Sequence, residues 1–481
     1  MDCFFDKNMG KVGEECGVAG IYVNPQDDIQ ASFEVYHALY ALQHRGQESC
    51  GIAANNNGVI SYHKDLGLVP EVFDDTLLEK LGGQMAIGHC RYSTTGTANR
   101  DNAQPIVISH VKGNLAIAHN GNLINALALR REIELKGGIF RSSNDSEVIA
   151  YVIVRERLRA GSIQDAIKNA VRHLKGAYSI VIMSPRKLIG VRDPNGFRPL
   201  CIGRVNKSYV FASETCALDA LGATFVRDVA PGEIVVVEDG KLTTTHCGIE
   251  ANPAMCIFEY IYFARPDSVI NGASVENARQ EAGRYLALEK PVDADIVIGV
   301  PDSGLSAAVG YSKSSGIPYE VGLIKNRYVG RTFIQTGQQR RERSVKIKLN
   351  ALTETLRGKR VIMVDDSIVR GTTGARIVSL LREAGATEVH LRISAPPFLH
   401  PCYFGTDIPN RELLLAHNHT EEEMRKIMGV DTLGFLSLEA VQKIAVGTSG
   451  GFCDACFSGN YPIEVPELME KNIFERGINE C

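Results

Sequence analysis

Between Asp365 and Thr373 the chain gathers two adjacent carboxylates, three hydroxyls, one guanidinium and one glycine, Asp-Asp-Ser-Ile-Val-Arg-Gly-Thr-Thr. A loop of small and hydroxyl residues opening a helix can wrap a phosphate with backbone N–H groups and the helix dipole. Carboxylates just before it suit sugar hydroxyls and a magnesium-bound partner. A second chemistry belongs to thiols. Cys16, followed by Gly17, is a good nucleophile only as thiolate and then needs a base beside it; most such cysteines are simply buried small residues. Cys453-Asp454-Ala455-Cys456 is a CxxC, which by itself serves zinc, redox exchange or neither.

Each group needs an element to aim it. Val361-Ile362-Met363-Val364 reads as a buried parallel strand. It sets Asp365 and Asp366 at a carboxyl end, where open α/β sheets bind ligands. Helical spacing follows over residues 373–381, and residues 295–304 form a similar strand ending in a Pro-Asp-Ser-Gly loop. From about residue 250 short strands alternate with helices, the pattern of a parallel α/β domain. Upstream, an apolar strand begins on Cys16, residues 29–43 read as a helix, and Asn55-Asn56-Asn57-Gly58 turns a hairpin. Asp145 or a neighbour caps a helix running to Leu158. Residues 160–250 read as scaffold, with strands near 174–183, 209–213 and 233–237 and a turn at Asp193-Pro194-Asn195-Gly196. Lys325, Arg327 and Arg331 stand in a basic loop. Arg340, Arg341, Arg343, Lys346 and Lys348 read as exposed surface, and the 25 residues after Cys456 as a surface tail.

A chain of 481 residues accommodates two or three domains. Its 52 Lys and Arg against 56 Asp and Glu give no bias toward nucleic acid or an anionic membrane. No run of 18 apolar residues exists to span a bilayer, and the N-terminal residues lack the apolar core of a secretory signal. Twelve cysteines in a chain this size suggest reduced thiols and a cytoplasmic protein.

Several weak motifs gain meaning by their order: Cys16-Gly17-Val18-Ala19-Gly20, Gln43-His44-Arg45-Gly46-Gln47-Glu48, Ile87-Gly88-His89-Cys90-Arg91-Tyr92-Ser93, His119-Asn120-Gly121-Asn122 and Ser142-Ser143-Asn144-Asp145-Ser146-Glu147. Together they resemble class II glutamine amidotransferase domains, over about residues 16–245. The resemblance implies an N-terminal-nucleophile hydrolase sandwich in which Cys16 attacks the side-chain amide of glutamine. The base is the cysteine's own α-amino group, with an ordinary pKa of about 8. Residues 1–15 are then a propeptide, cut between Glu15 and Cys16. Asn120 and the N–H of Gly121 form the oxyanion hole, Arg91 takes the α-carboxylate of glutamine, and Asp145 holds its α-ammonium. Cys90 is read as a packed thiol.

The string from Val361 to Thr373 resembles the phosphoribosyl-pyrophosphate (PRPP) fingerprint of type I phosphoribosyltransferases, which implies a parallel α/β domain over residues 246–456 and a tail over 457–481. Asp365 and Asp366 hold the ribose hydroxyls and, with Ser303, magnesium. Ser367, Arg370, Gly371, Thr372 and Thr373 cradle the 5′-phosphate. Asp302 and Ser303 lie in the pyrophosphate loop, and Lys325 and Arg331 in a mobile lid. Joined, the two halves resemble the glutamine PRPP amidotransferases. That resemblance implies conversion of PRPP, glutamine and water to 5-phosphoribosylamine, glutamate and pyrophosphate, with ammonia passing internally. It also implies a homotetramer inhibited by purine nucleotides. In the subgroup made with propeptides, Cys256, Cys402, Cys453 and Cys456 match the ligands of one [4Fe–4S] cluster per subunit, although four thiolates equally suit zinc by count. A sugar-aminating amidotransferase shares the Cys16 half without the PRPP string. A PRPP-sensing DNA regulator shares the string, needs a basic reading module, and leaves the Cys16 half without a purpose.

Overall fold

The computed structural model describes residues 16–92, 99–326, 328, 349–406, 408 and 410–466. The expected propeptide, Ser93, Arg327, Arg331, the basic cluster at 340–348 and the end of the expected tail lie outside them.

The first half is two antiparallel sheets face to face. One has seven strands in the order Thr224–Asp228, Cys201–Val205, Ser208–Ala212, Gly17–Tyr22, Met85–Arg91, Ser49–Asn56, Val59–Leu66. The other has six, in the order Lys241–His246, Glu233–Glu238, Lys187–Arg192, Gly176–Met183, Gly113–Leu123, Ile106–His110. Side chains alternate across each strand. Val18 and Ala118 therefore join Ile87, Val181, Leu188, Phe211 and Val235 between the sheets. Their neighbours Ala19 and Ile117 face outward onto helices. The outer layer over the first sheet is the helix Ala31–Ala41. It lies so close that a Cβ at Gly88 would stand 2.5 Å from Val35. The hairpin turns where expected, with Asn57 and Gly58 both at positive φ, as a type I′ turn requires. The cap of the helix Asp145–Arg159 is Asn144, whose side chain accepts from Ser146 N at 2.9 Å, which frees Asp145 for other work.

The second half centres on four parallel strands, in the order Ile296–Gly299, Arg360–Asp365, Glu388–Ile393, Thr432–Phe435. Val361 pairs with Ile296 on one side and Val389 on the other. After the helix Gly304–Ser315 the chain bridges Val297 through Tyr319. It then returns to the opposite side of the same strand as Arg360–Asp365, so the strand order reverses there. Such a reversal leaves a crevice outside the carboxyl ends. A short parallel pair, Ala254–Cys256 with Gly451–Cys453, joins the start of this half to its end. The segment after Cys456 departs from a surface tail. Phe457 is buried, Tyr461, Ile463 and Val465 pack on Phe197, Tyr403 and Phe404, and Tyr461 donates to Pro401 O at 2.8 Å.

Candidate active sites and cysteine centre

Cys16 is buried at the head of the strand Gly17–Tyr22, its Sγ 3.4 Å from Tyr92 O. Arg45 donates through Nε to the carbonyl of Cys16 at 2.9 Å. Across the antiparallel ladder Gly17 faces Cys90, which places the buried Arg91 at the same end of the sheet. The other sheet approaches through His89, whose Nε2–H donates to His119 O at 3.0 Å, one residue before Asn120. Burial pushes the His89 imidazole down to about 3, so it is neutral in this role. Asn120 is buried, and neither atom of its carboxamide meets a partner among the described residues. A buried donor left unspent in that way costs free energy unless a ligand takes it. Gly121 has φ +141°, and an added Cβ would stand 2.1 Å from Ala177 O. Asp145 accepts from Leu123 N at 2.9 Å, which ties it to the strand carrying Asn120 and Gly121. The five residues expected at the glutamine site, Cys16, Arg91, Asn120, Gly121 and Asp145, thus lie on or beside the two facing sheets. Cys90 is packed as expected, with burial raising its thiol well above the usual range.

In the crevice of the second half, Ser303 and Ser367 each donate a hydroxyl to Asp366, one to each oxygen. Asp365 accepts from Asp366 N at 3.0 Å. Two 12-residue helices open beside this pair, Gly304–Ser315 and Thr372–Glu383, and neither has a side-chain cap. Their first N–H groups and dipoles are left for an anion. Gly304 permits the approach, since a Cβ there would lie 2.4 Å from Val364 O. Gly371 takes φ +77° at the helix start, with Arg370, Thr372 and Thr373 around it. Lys325 pairs with Asp302 at the exposed mouth.

Four cysteines converge below. Cys256 and Cys453 are register partners; Cys456 lies one turn on, and Phe404 N donates to Cys402 Sγ at 3.4 Å. The Cys456 thiol is raised by burial and then by the charges of Cys402, Cys256 and Cys453, which is how neighbouring thiolates act on one another. Among the described residues, the His, Cys, Asp or Glu ligand atoms that come within 4.8 Å in groups of three belong to His44, Glu214 and Cys216. By count, four thiolates suit either a zinc ion or an iron–sulfur cluster. At His44 and Glu214, the carboxylate is already taken by Arg45, Ser268 and Arg265 N, so this group is an ion-pair node.

That node belongs to a buried network which sequence reading missed. Arg45 Nη1 donates to Glu214 at 2.6 Å, and its two Nη groups grip Glu259 at 2.9 and 2.8 Å. Burial pushes the Glu214 carboxyl up, but His44 and Arg45 hold it well below the carboxylate range. Arg198 stands 3.5 Å from Glu259 and donates to Phe404 O at 2.7 Å. Beyond Glu259 the π-helical turn Glu259–Phe263 gives its carbonyls at Tyr260 and Tyr262 to Arg279. Burial lowers Arg279, and Asp366 of the crevice opposes that shift. The one hint in the sequence is the string around Arg45, far along the chain from its partners Glu214 and Glu259.

Comparison with known proteins agrees with the two-site geometry. A family model for the glutamine amidotransferase domain matches residues 89–220, and one for the phosphoribosyl transferase domain matches residues 276–396. The amidophosphoribosyltransferase of Methanocaldococcus jannaschii is 51% identical over 465 residues, covering 94% of this chain and 98% of that protein. That of Archaeoglobus fulgidus is 49% identical over 453 residues, with coverage of 94% and 98%. The solved structure of glutamine PRPP amidotransferase from B. subtilis complexed with ADP and GMP superposes with a TM-score of 0.87 at 49% identity, covering 94% of this chain and 98% of that one. A structure of the allosteric regulatory enzyme of purine biosynthesis gives a TM-score of 0.89 at 48% identity, with coverage of 96% and 100%.

Proposed function

The chain belongs to the amidophosphoribosyltransferase family, and from that membership we propose a division of labour among its residues. The protein catalyses glutamine-dependent amination of PRPP in purine biosynthesis. Residues 16–245 are the glutaminase and 246–456 the phosphoribosyltransferase, followed by the segment 457–481. With residues 1–15 removed, the α-amino group of Cys16 takes the thiol proton, and the thiolate attacks the glutamine amide carbon. Asn120 and Gly121 stabilise the oxyanion, Arg91 and Asp145 hold the amino-acid end, and ammonia leaves toward the second half. The observation that carries this reading most is the buried, unspent carboxamide of Asn120. Preorganised donors of that kind contribute several kcal/mol to acyl transfer.

At the second site Asp365 and Asp366 orient the ribose hydroxyls, and the residues from Ser367 to Thr373 bind the 5′-phosphate at the uncapped helix start. Asp302, Ser303, Lys325 and Arg331 receive the pyrophosphate as it leaves C1. A magnesium ion held by Ser303, Asp365 and Asp366 would neutralise its charge. Cys256, Cys402, Cys453 and Cys456 would hold a structural [4Fe–4S] cluster, tying the end of this half to its start. Purine nucleotides are proposed as inhibitors, since the B. subtilis relative is complexed with ADP and GMP. A homotetramer in the cytoplasm completes the proposal; no helix among the described residues is long and apolar enough to cross a membrane.

Cys16→Ala tests the division. Glutamine-dependent synthesis is expected to vanish while synthesis from added ammonia persists, and the variant is expected to retain its first fifteen residues. Full turnover with glutamine in that variant would contradict the thiol assignment. N-terminal sequencing and intact mass of the wild-type protein report the processing directly.

A further inference from the structure

The strand that carries Asn120 and Gly121 is backed by three successive residues of the other half. Asn122 Nδ2 donates to Tyr403 O at 3.0 Å. Arg198 Nη2 and Nε donate to Phe404 O at 2.7 and 3.2 Å, and the Phe404 ring stacks on Phe197 at 4.2 Å. Gly405, at φ +118°, comes so close that an added Cβ would lie 3.5 Å from the carbonyl carbon of Gly121 and 3.0 Å from Arg198 Nη2. Gly121 is also pressed against Ala177 O, where a Cβ would stand at 2.1 Å. The strand carrying the Gly121 peptide is therefore held both within its own sheet and, through Asn122, by residues 403–405 of the other half.

We propose that Asn122 is a positioning residue for glutamine hydrolysis, clamping the oxyanion strand to the segment Tyr403-Phe404-Gly405 so that the N–H of Gly121 stays aimed at the developing negative charge. The proposal rests on the assignment of Asn120 and Gly121 as the oxyanion hole. Its physical basis is that such donors act through preorganisation, and that a displacement on the order of an ångström costs as much as about a hundredfold in rate. Asn122 need not touch glutamine. It fixes the peptide beside it, and it does so from an anchor more than 280 residues away in the chain.

The test is glutaminase kinetics on the full-length processed protein carrying Asn122→Ala or Asn122→Asp, the second keeping the size and losing the donor. The expected result is a kcat for glutamine roughly tenfold lower with KM within about twofold. An aldehyde analogue of glutamine, whose adduct with the thiol places an oxyanion in the hole, should bind about tenfold more weakly. Affinity for the product glutamate and the ammonia-dependent rate should hold. Unchanged kcat and aldehyde affinity would overturn the proposal, as would parallel loss of glutamate binding and the ammonia-dependent rate, which marks a merely structural residue. Asn120→Ala separates the two readings. If it leaves kcat intact, the oxyanion assignment itself fails; if it lowers kcat while the Asn122 variants do not, only the clamp fails. Should Asn122→Ala not fold, Gly405→Ala, strained at φ +118° and tight against Arg198, displaces the segment that Asn122 holds and is expected to show the same kcat-selective loss; an unaltered kcat there overturns the clamp.

Discussion

At Gly121 the backbone conformation and the space around it both demand glycine, because φ is +141° and Ala177 O occupies the place of a Cβ. Gly121→Ala should therefore lower glutamine-dependent synthesis by at least about a hundredfold, the usual cost of an oxyanion donor. Ammonia-dependent synthesis should be the less affected of the two, and the comparison of the two rates is the measurement. His89 carries a prediction about pH. Its folded pKa is depressed to about 3 from an ordinary 6.5, so the unfolded chain takes up a proton that the folded chain refuses. Stability should fall as pH drops below about 6.5 and go on falling toward 3. His89→Gln keeps a donor and removes the titration; its unfolding midpoint should decline less steeply between pH 7 and 5. The expectations at Cys16, Asn120 and Asp365 rest on short motifs around each residue. Arg45 and Glu214 were not legible in that way, because a buried charge announces itself only through a partner, and here the partner lies 169 residues away.

Strands and helices followed the hydrophobic period closely. Val361 to Val364 is buried on both faces in the middle of a parallel sheet, and a run of four apolar residues says as much. The expectation that Asp145 or a neighbour caps the helix Asp145–Arg159 is met by Asn144; residue type alone does not choose between them, since Asn and Asp are equally able caps. The expectation of a surface tail after Cys456 is corrected by the packing of Phe457, Tyr461, Ile463 and Val465. The alternation Tyr461-Pro462-Ile463-Glu464-Val465 was the overlooked signal, for the apolar members are those that pack. Two changes test how elements hold the PRPP site. Asp365→Asn with Asp366→Asn should abolish synthesis from either nitrogen source and weaken PRPP binding; unchanged affinity would return the stretch to an ordinary turn. Gly304→Ala should push the helix Gly304–Ser315 away from Val364 and displace Ser303 from Asp366. A raised Kd for PRPP with glutaminase activity intact is the expected outcome.

Across the molecule, a metal centre held by the four cysteines would close a loop on the order of two hundred residues, constraining the unfolded chain strongly and making metal binding a part of folding. Each Cys→Ser change at 256, 402, 453 or 456 should lower the unfolding midpoint sharply, whereas Cys201→Ser should be mild. Iron and sulfide analysis with an absorption spectrum checks the group itself, and a colourless, zinc-loaded, fully active protein would sink the assignment. Family resemblance pointed to these four residues; sequence spacing alone left zinc open. Glu259 belongs to the same scale. Its removal as Glu259→Leu leaves two buried guanidiniums short of a partner, and should destabilise by about 3–5 kcal/mol in chemical denaturation. This triad also bears on inheritance. Arg45 and Arg198 come from one half of the chain and Glu259 from the other, all three without exposure to water. Recombination that brought in a half without the matching charge would leave a buried ion with no partner across the seam. A chimera should therefore fold stably only when the two halves meet with all three charges in place, which makes the seam between them a constraint on exchange.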